Sequence, residues 1–234
     1  GFSDEFVYSE VEKEYLEKYG DLTGDLHTDL HECLGHGSGQ LLPGVDPDAL
    51  KAHGSTIEEA RADLFGLYYL PDAKMRELGL TPHDDAYKAE YYSFMMNGLM
   101  TQLVRIELGN NVEEAHMRNR QLIAKWVFEK GAGDKVVELV KKEGKTFVKI
   151  NDYDKLRDLF GQLLGEIQRI KSEGDYEAAR QLVENYAVQV DPELHKEVLA
   201  RYEKLNLAPY KGFVNPVYSA QKNAEGNIVD VTIS

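Results

Sequence analysis

The sequence has little cysteine and no long apolar run, and each shortage excludes a class of protein. A single cysteine, Cys33, rules out an intramolecular disulfide framework and fits a reducing compartment, so we predict a cytoplasmic protein. No apolar run approaches the ~20 residues that cross a bilayer. The first ten residues have neither the basic nor the apolar region of a signal peptide, so none is expected.

Positive charge is also scarce. There are 27 lysine and arginine residues against 41 aspartate and glutamate residues, which gives a net charge of −14. Such a surface repels phosphate backbones and anionic lipid, so neither nucleic acid nor a membrane is a predicted partner. It attracts peptides that carry a free ammonium group. With 234 residues and 42% hydrophobic residues, the chain is long enough for one sizeable core.

Helical signals dominate the chain. A short helix is predicted from Asp25 to His36, where a glycine-rich stretch ends it. Another is predicted to begin at Ser55 or Thr56, since Ser55 and Glu58 have the spacing of a capping box. Its apolar residues recur at helical spacing. The remaining predicted helices span residues 84–108, 112–130, 152–172, 176–188 and 192–204.

Two short β-hairpins complete the prediction. Residues 136–141 and 146–150 flank Glu143-Gly144 and have the alternation of paired strands. Residues 213–218 and 228–233 form a second candidate around Gly226. The predicted fold class is therefore mainly α with small β-hairpins, in one domain that covers residues 1–234.

The segment His31-Glu32-Cys33-Leu34-Gly35-His36 carries the chemistry. A peptidase zinc needs three protein ligands and an open position, and two histidines of an H-E-x-x-H helix usually supply two of them. Here the histidines are one residue further apart, which separates them by about 140° around a regular helix instead of about 40°. Either a π-type turn widens the helix, which Gly35 favours by lacking a side chain, or the motif is accidental.

Two neighbouring residues offer alternatives to this pair. His27 and His31 do have i,i+4 spacing, but no third ligand is near them, so His27 is more simply a solvated histidine or one that supports a ligand. Cys33 lies about 200° around the helix from His31, so we expect a packed side chain and neither a ligand nor a nucleophile.

The third ligand should come from Glu58-Glu59-Ala60-Arg61-Ala62-Asp63. Acidic residues in the first turn of a helix also offset its dipole, which is a purely structural reason for their presence. Glu59 and Asp63, however, lie side by side at i,i+4 and off the apolar stripe. One carboxylate could bind a metal while the other accepts an N–H from a ligand histidine.

HECLGH followed at short range by EEARAD resembles the paired motif of the dipeptidyl peptidase III family of zinc exopeptidases. Members of that family have the extra residue between their histidines. The resemblance implies a helical catalytic lobe that binds one zinc ion per chain through His31, His36 and Glu59.

The same resemblance implies roles for other residues. It makes Glu32 the general base that activates the zinc water, and it has Glu58 and Asp63 support the ligands from behind. The segment His116-Met117-Arg118-Asn119-Arg120 resembles a family segment whose histidine stabilises the transition state. His116 and Arg120 have i,i+4 spacing, so they could point together into one cleft, although a His and an Arg on a helix more often form a solvated face. The resemblance makes both candidate catalytic residues.

The resemblance extends through residues 165–171 and toward 213–216, and we consider Arg201 as a ligand for a substrate carboxylate. Family members are longer, with a separate lobe that precedes the metal motifs and holds the substrate's free N-terminus. We therefore expect residues 1–234 to be an upper-lobe-like catalytic domain excised from a two-lobed enzyme. Its missing second lobe is a predicted partner, and the domain alone is expected to be weakly active or inactive.

The implied function is that of an aminopeptidase-type metalloprotease, which uses zinc to release dipeptides from the N-terminus of short peptides. Two alternatives remain open. One is a zinc-binding domain without catalysis, although the sequence lacks the cysteine-rich set of a closed structural site. The other is a zinc endopeptidase, which an assay with blocked and free N-termini would distinguish.

Overall fold

Helices make up most of the chain in the computed structural model, which describes residues 1–207 and 216–233. The α-helices are α1 (Phe2–Phe6), α2 (Glu10–Leu30), α3 (Gly54–Tyr69), α4 (Ala73–Glu77), α5 (Tyr87–Leu99), α6 (Ala115–Lys130), α7 (Tyr153–Glu173), α8 (Tyr176–Leu182) and α9 (Pro192–Lys204). Turns of π-helix span His31–His36 and Val183–Ala187, and 3-10 turns span Lys51–His53, Thr101–Arg105 and Ala132–Asp134. The strands are β1 (Val137–Lys142), β2 (Lys145–Ile150), β3 (Tyr218–Lys222) and β4 (Ile228–Ile233). The predicted fold class is confirmed.

Both predicted hairpins are present. Strands β1 and β2 pair antiparallel from Val137 opposite Ile150 to Lys142 opposite Lys145. Glu143 and Gly144 close this hairpin with φ angles of 52° and 78°, and two positive φ values in a two-residue loop are typical of a type I′ turn. Strands β3 and β4 form a second antiparallel pair. Its first strand starts at residue 218, later than predicted, and residues 213–215 of the prediction lie outside the described residues.

Several predicted helix bounds are wrong. Helix α2 begins at Glu10, 15 residues before the predicted start at Asp25, because the acidic first half of this helix buries few residues and so lacks a clear apolar period. The predicted helix 84–108 is shorter, since Met100 leaves the helical region with φ −143° and a 3-10 turn follows.

Among the described residues, no helix is both long and apolar enough to span a lipid bilayer.

The predicted capping box is also wrong. The 3-10 turn Lys51–His53 leads directly into α3, which begins at Gly54, so Ser55 lies inside the first turn of the helix. Without a break in the backbone at Ser55, its side chain has no cap position to fill. Glu58 is therefore free to bind other groups.

Helix α3 is the central element, and it packs against α2, α6 and α7. Its predicted apolar face is fully buried at Ile57, Ala60, Leu64 and Leu67. Helix α5 packs against both α2 and α6. A helix surrounded in this way has a fixed axis, so the carboxylates of its first turns occupy defined positions.

Arg201 has a structural role, which contradicts the predicted role in binding substrate. Its guanidinium is 4% exposed and donates to a side-chain oxygen of Glu5 at 2.8 Å and to the carbonyl oxygen of Thr146 at 2.6 Å. It also lies over the rings of Phe6 and Phe147. Arg201 thus joins α1, β2 and α9, and its donors are already used.

The widened turn predicted between His31 and His36 is confirmed, because a π-turn continues α2 over these residues. Gly35 lets this turn approach α3 very closely. A Cβ atom at Gly35 would lie 2.6 Å from Ala62 Cα and 2.8 Å from Ala62 Cβ, distances that real contacts do not reach. The bulge in the helix and its contact with α3 therefore depend on one missing methyl group.

We predict that Gly35→Ala destabilises the protein by about 1–3 kcal/mol, because the added methyl group forces α2 and α3 apart. The free energy of unfolding, measured in urea, tests this. Gly20→Ala is the matched control. Gly20 lies in α2 with open space around it, so alanine there should stabilise the helix by about 0.5–1 kcal/mol. Equal stability of Gly35→Ala and the wild type would contradict the packing argument.

Candidate metal centre

The π-turn and the first turns of α3 bring His31, His36 and Glu59 together. One ligand atom from each lies within 4.8 Å of the others. His31 Nε2 is 3.4 Å from Glu59 Oε2, and His36 Nε2 is 3.8 Å from the same oxygen. The widened turn rotates the second histidine back toward the first, since their ring centroids are only 4.7 Å apart.

The chemistry of this group fits a zinc ion. Glu59 Oε2 is buried and has no hydrogen-bond partner among the described residues, and an unpaired buried carboxylate oxygen is costly. A cation between it and the two imidazoles would remove that cost. Two nitrogens and one carboxylate oxygen are the donors of many catalytic zinc sites, and tetrahedral ligands at about 2.1 Å lie about 3.4 Å apart. The separations from Glu59 Oε2 are close to that value.

Each histidine is held from behind by a carboxylate. His31 Nδ1 donates to Asp63 Oδ1 at 2.7 Å, and His36 Nδ1 donates to Glu58 Oε1 at 2.8 Å. A proton on Nδ1 leaves the lone pair of Nε2 directed at Glu59, which is the tautomer that a metal requires. The bond to Asp63 also raises the pKa of His31.

A second layer of contacts holds Glu58. Burial opposes its ionisation, but bonds from Arg61, Lys171 and His36 outweigh burial and lower its pKa to about 2. Arg61 is completely buried and donates to Glu58 Oε1 at 2.9 Å and to the carbonyl oxygen of Gly35 at 2.7 Å. Arg61 therefore connects the two motifs. Arg61 was not among the predicted site residues, although its i,i+3 spacing from Glu58 is a signal for such a pair.

A cavity of about 320 Å³ adjoins the metal candidates, and the predicted catalytic residues Glu32, His116 and Arg120 all line it. Glu32 is exposed on the π-turn. His116 Nδ1 lies 3.3 Å from Glu59 Oε2, and its side chain is 60% exposed. Arg120 Nη1 donates to Gln102 Oε1 at 3.5 Å. The i,i+4 pair on α6 thus faces one cleft, beside the proposed base.

Of the two alternatives for His27, the solvated one is wrong, and the expectation of a packed Cys33 is wrong as well. His27 is buried and not solvated, because its ring bonds Glu90 and the backbone of Asp63. Burial opposes its protonation, but the two acidic partners raise its pKa to about 9. Cys33 is exposed and not packed, because the π-turn directs His31 and Gly35 toward α3 and leaves its other side to solvent.

Histidines on one helix, an adjacent glutamate and a carboxylate from the next helix are the arrangement of a metallopeptidase centre. Residues 45–216 match the model described as Peptidase family M49. Since this match covers more than half of the chain, the chain belongs to peptidase family M49. The match includes EEARAD and the His116 segment, whereas HECLGH precedes it.

Solved structures agree with this assignment. The structure of DPP III from Caldithrix abyssi aligns with a TM-score of 0.64 and 26% identity, over 86% of this chain and 35% of that chain. Dipeptidyl-peptidase III from Corallococcus sp. strain EGB shares the fold, with a TM-score of 0.62 and 22% identity over 87% of this chain and 34% of that chain. The resemblance to this family is confirmed. The chain spans about a third of the length of these two structures.

Proposed function

We propose that this chain is the zinc-binding catalytic lobe of a peptidase that releases dipeptides from the N-terminus of short peptides. The observation that carries the proposal is the buried, unpaired Glu59 Oε2, which faces the Nε2 atoms of His31 and His36. Membership of peptidase family M49 and similarity to solved structures of dipeptidyl-peptidase III support the reaction class. We also propose a cytoplasmic location, as predicted from the single cysteine.

One zinc ion would be held by His31, His36 and Glu59, with Asp63 and Glu58 fixing the histidine rings. When bound, zinc lowers the pKa of a water molecule and polarises the scissile carbonyl group. The carboxylate of Glu32 accepts the proton of the attacking water and transfers it to the leaving amine nitrogen.

Charge on the substrate is handled by the other residues of the cavity. The N–H donors of His116 and Arg120 stabilise the oxygen of the scissile carbonyl as negative charge develops there. The net charge of −14 favours a peptide with a free ammonium group. The grip on that ammonium is assigned to a second lobe, in line with the length of the similar structures.

Two other functions are alternatives. A purely structural zinc site is usually closed by four protein ligands, whereas this group has three and adjoins a cavity that contains a candidate base. A zinc endopeptidase would use the same ligands, and only its tolerance of blocked N-termini distinguishes it from the proposed enzyme.

We predict that Glu59→Ala removes tight zinc binding, because two imidazoles alone leave the ion short of a ligand. Elemental analysis after dialysis should give about one zinc per wild-type chain and far less for the variant. Glu17→Ala, an exposed acidic residue of α2, is the matched control and should keep its zinc. Full retention of zinc by Glu59→Ala would disprove the ligand assignment.

We predict that Glu32→Gln keeps zinc binding but removes most hydrolysis when made in a longer chain that includes the second lobe. Glutamine preserves size and hydrogen bonding but cannot accept the proton, so the loss should appear in kcat. The same zinc measurement serves as the internal control. Turnover near that of the parent would rule out Glu32 as the base.

We also predict that residues 1–234 alone bind zinc but hydrolyse a dipeptidyl-arylamide slowly or not at all. The candidate ligands and base lie on α3 and the π-turn, so the metal centre assembles without the second lobe. Holding the substrate in register can supply ~7–11 kcal/mol of barrier lowering, and this chain has no assigned site for that grip. Residual activity should not depend on a free N-terminus. Turnover equal to that of the longer chain would show that the second lobe is dispensable.

A further inference from the structure

A buried row of charged side chains lies behind His31. His27 Nδ1 is 2.8 Å from Glu90 Oε1, and His27 Nε2 is 3.1 Å from the carbonyl oxygen of Asp63. His27 Nε2 is also 3.6 Å from Asp63 Oδ1, the oxygen that accepts the proton of His31. The row therefore runs from α5 through α2 to α3 and ends at a proposed zinc ligand.

The hydrogen-bond partners determine the charge on His27. Each ring nitrogen faces an oxygen acceptor, a carboxylate on one side and a backbone carbonyl on the other. A neutral imidazole has only one N–H and would leave one of these contacts unmade. Both contacts are made only when His27 is an imidazolium, which places a buried positive charge between Glu90 and Asp63.

The fold reserves space for this ring. A Cβ atom at Gly66 would lie 2.2 Å from His27 Cδ2, so α3 admits the imidazole only where it has a glycine. The side chains of His27 and Glu90 are 10% and 13% exposed. Neither residue belongs to the HECLGH or EEARAD motif, and both line the cavity that contains Glu32.

We propose that His27 and Glu90 are positioning residues for the metal centre, which act through Asp63. The inference rests on the proposed zinc function. The imidazolium holds Asp63 in place, and Glu90 fixes the imidazolium. Asp63 Oδ1, held in this position, accepts the hydrogen bond from His31 Nδ1 and leaves His31 Nε2 free for the metal. Glu90 thus orients a ligand from which it is separated by two residues of the row, His27 and Asp63.

Zinc affinity, measured on the whole 234-residue chain by competition with a chromophoric chelator, tests this. His27→Gln should lower the affinity about 10-fold, since partners behind a ligand histidine typically contribute 10–100-fold. Glu90→Gln should also lower the zinc affinity. If the effect passes through Asp63, His27→Gln should cause no further loss in an Asp63→Asn background.

The control is His195→Gln, which makes the same change at a buried histidine of α9 whose ring bonds the carbonyl oxygens of Leu103 and Ile106. His195→Gln should lower stability without changing zinc affinity. If His27 had a merely structural role, His27→Gln would likewise lower stability and leave zinc affinity unchanged. If His27→Gln fails to fold, Glu90→Gln carries the test, because it preserves shape.

The outcomes separate the two proposals. A wild-type chain that binds no zinc would overturn the proposed function and this inference with it. A wild-type chain that binds zinc, with His27→Gln or a folded Glu90→Gln equal to it in affinity, would overturn only the inference. Additive losses in the His27→Gln, Asp63→Asn double variant would also overturn it, because the residues would then act independently.

Discussion

The candidate centre depends on the close contact between the π-turn and α3. Gly35 lies against Ala62, and this approach places the Nε2 atoms of His31 and His36 beside Glu59 Oε2. With a regular helix, the histidines would point about 140° apart. With a larger residue at position 35, α3 would be held too far away. The centre therefore needs both the π-turn and the glycine at position 35. Neither feature alone would bring the two histidines to Glu59.

The polar groups around this contact follow one rule, in which every buried charge has a partner of opposite sign. Arg61 and Lys171 offset Glu58, and His27 lies between two carboxylates. Glu59 is the exception, because its buried Oε2 has no hydrogen-bond partner among the described residues. Because the other charges are paired, these side chains are held in place. Glu59 Oε2 remains available to bind a cation.

The features that the sequence made predictable are local ones. The β1–β2 hairpin follows from alternation around Glu143-Gly144, and the widened turn follows from the i,i+5 spacing of two histidines. One failure arises from contacts between residues that are far apart in sequence. His27 lies 63 residues from Glu90, and no spacing rule links them. The supposed cap at Ser55 failed because a preceding 3-10 turn, which the sequence did not indicate, starts α3 earlier.

The candidate ligands lie on two separate elements, with His31 and His36 at the end of α2 and Glu59 in α3. The segment between them, residues 37–53, contains only one short 3-10 turn, Lys51–His53. An ion bound there would therefore act as a removable cross-link that closes this loop in the folded state. Free metal would then shift the folding equilibrium, by about 4 kcal/mol at a thousandfold excess over Kd. The metal concentration in the surrounding solution would set not only the chemistry of the cleft but also the fraction of chains that are folded.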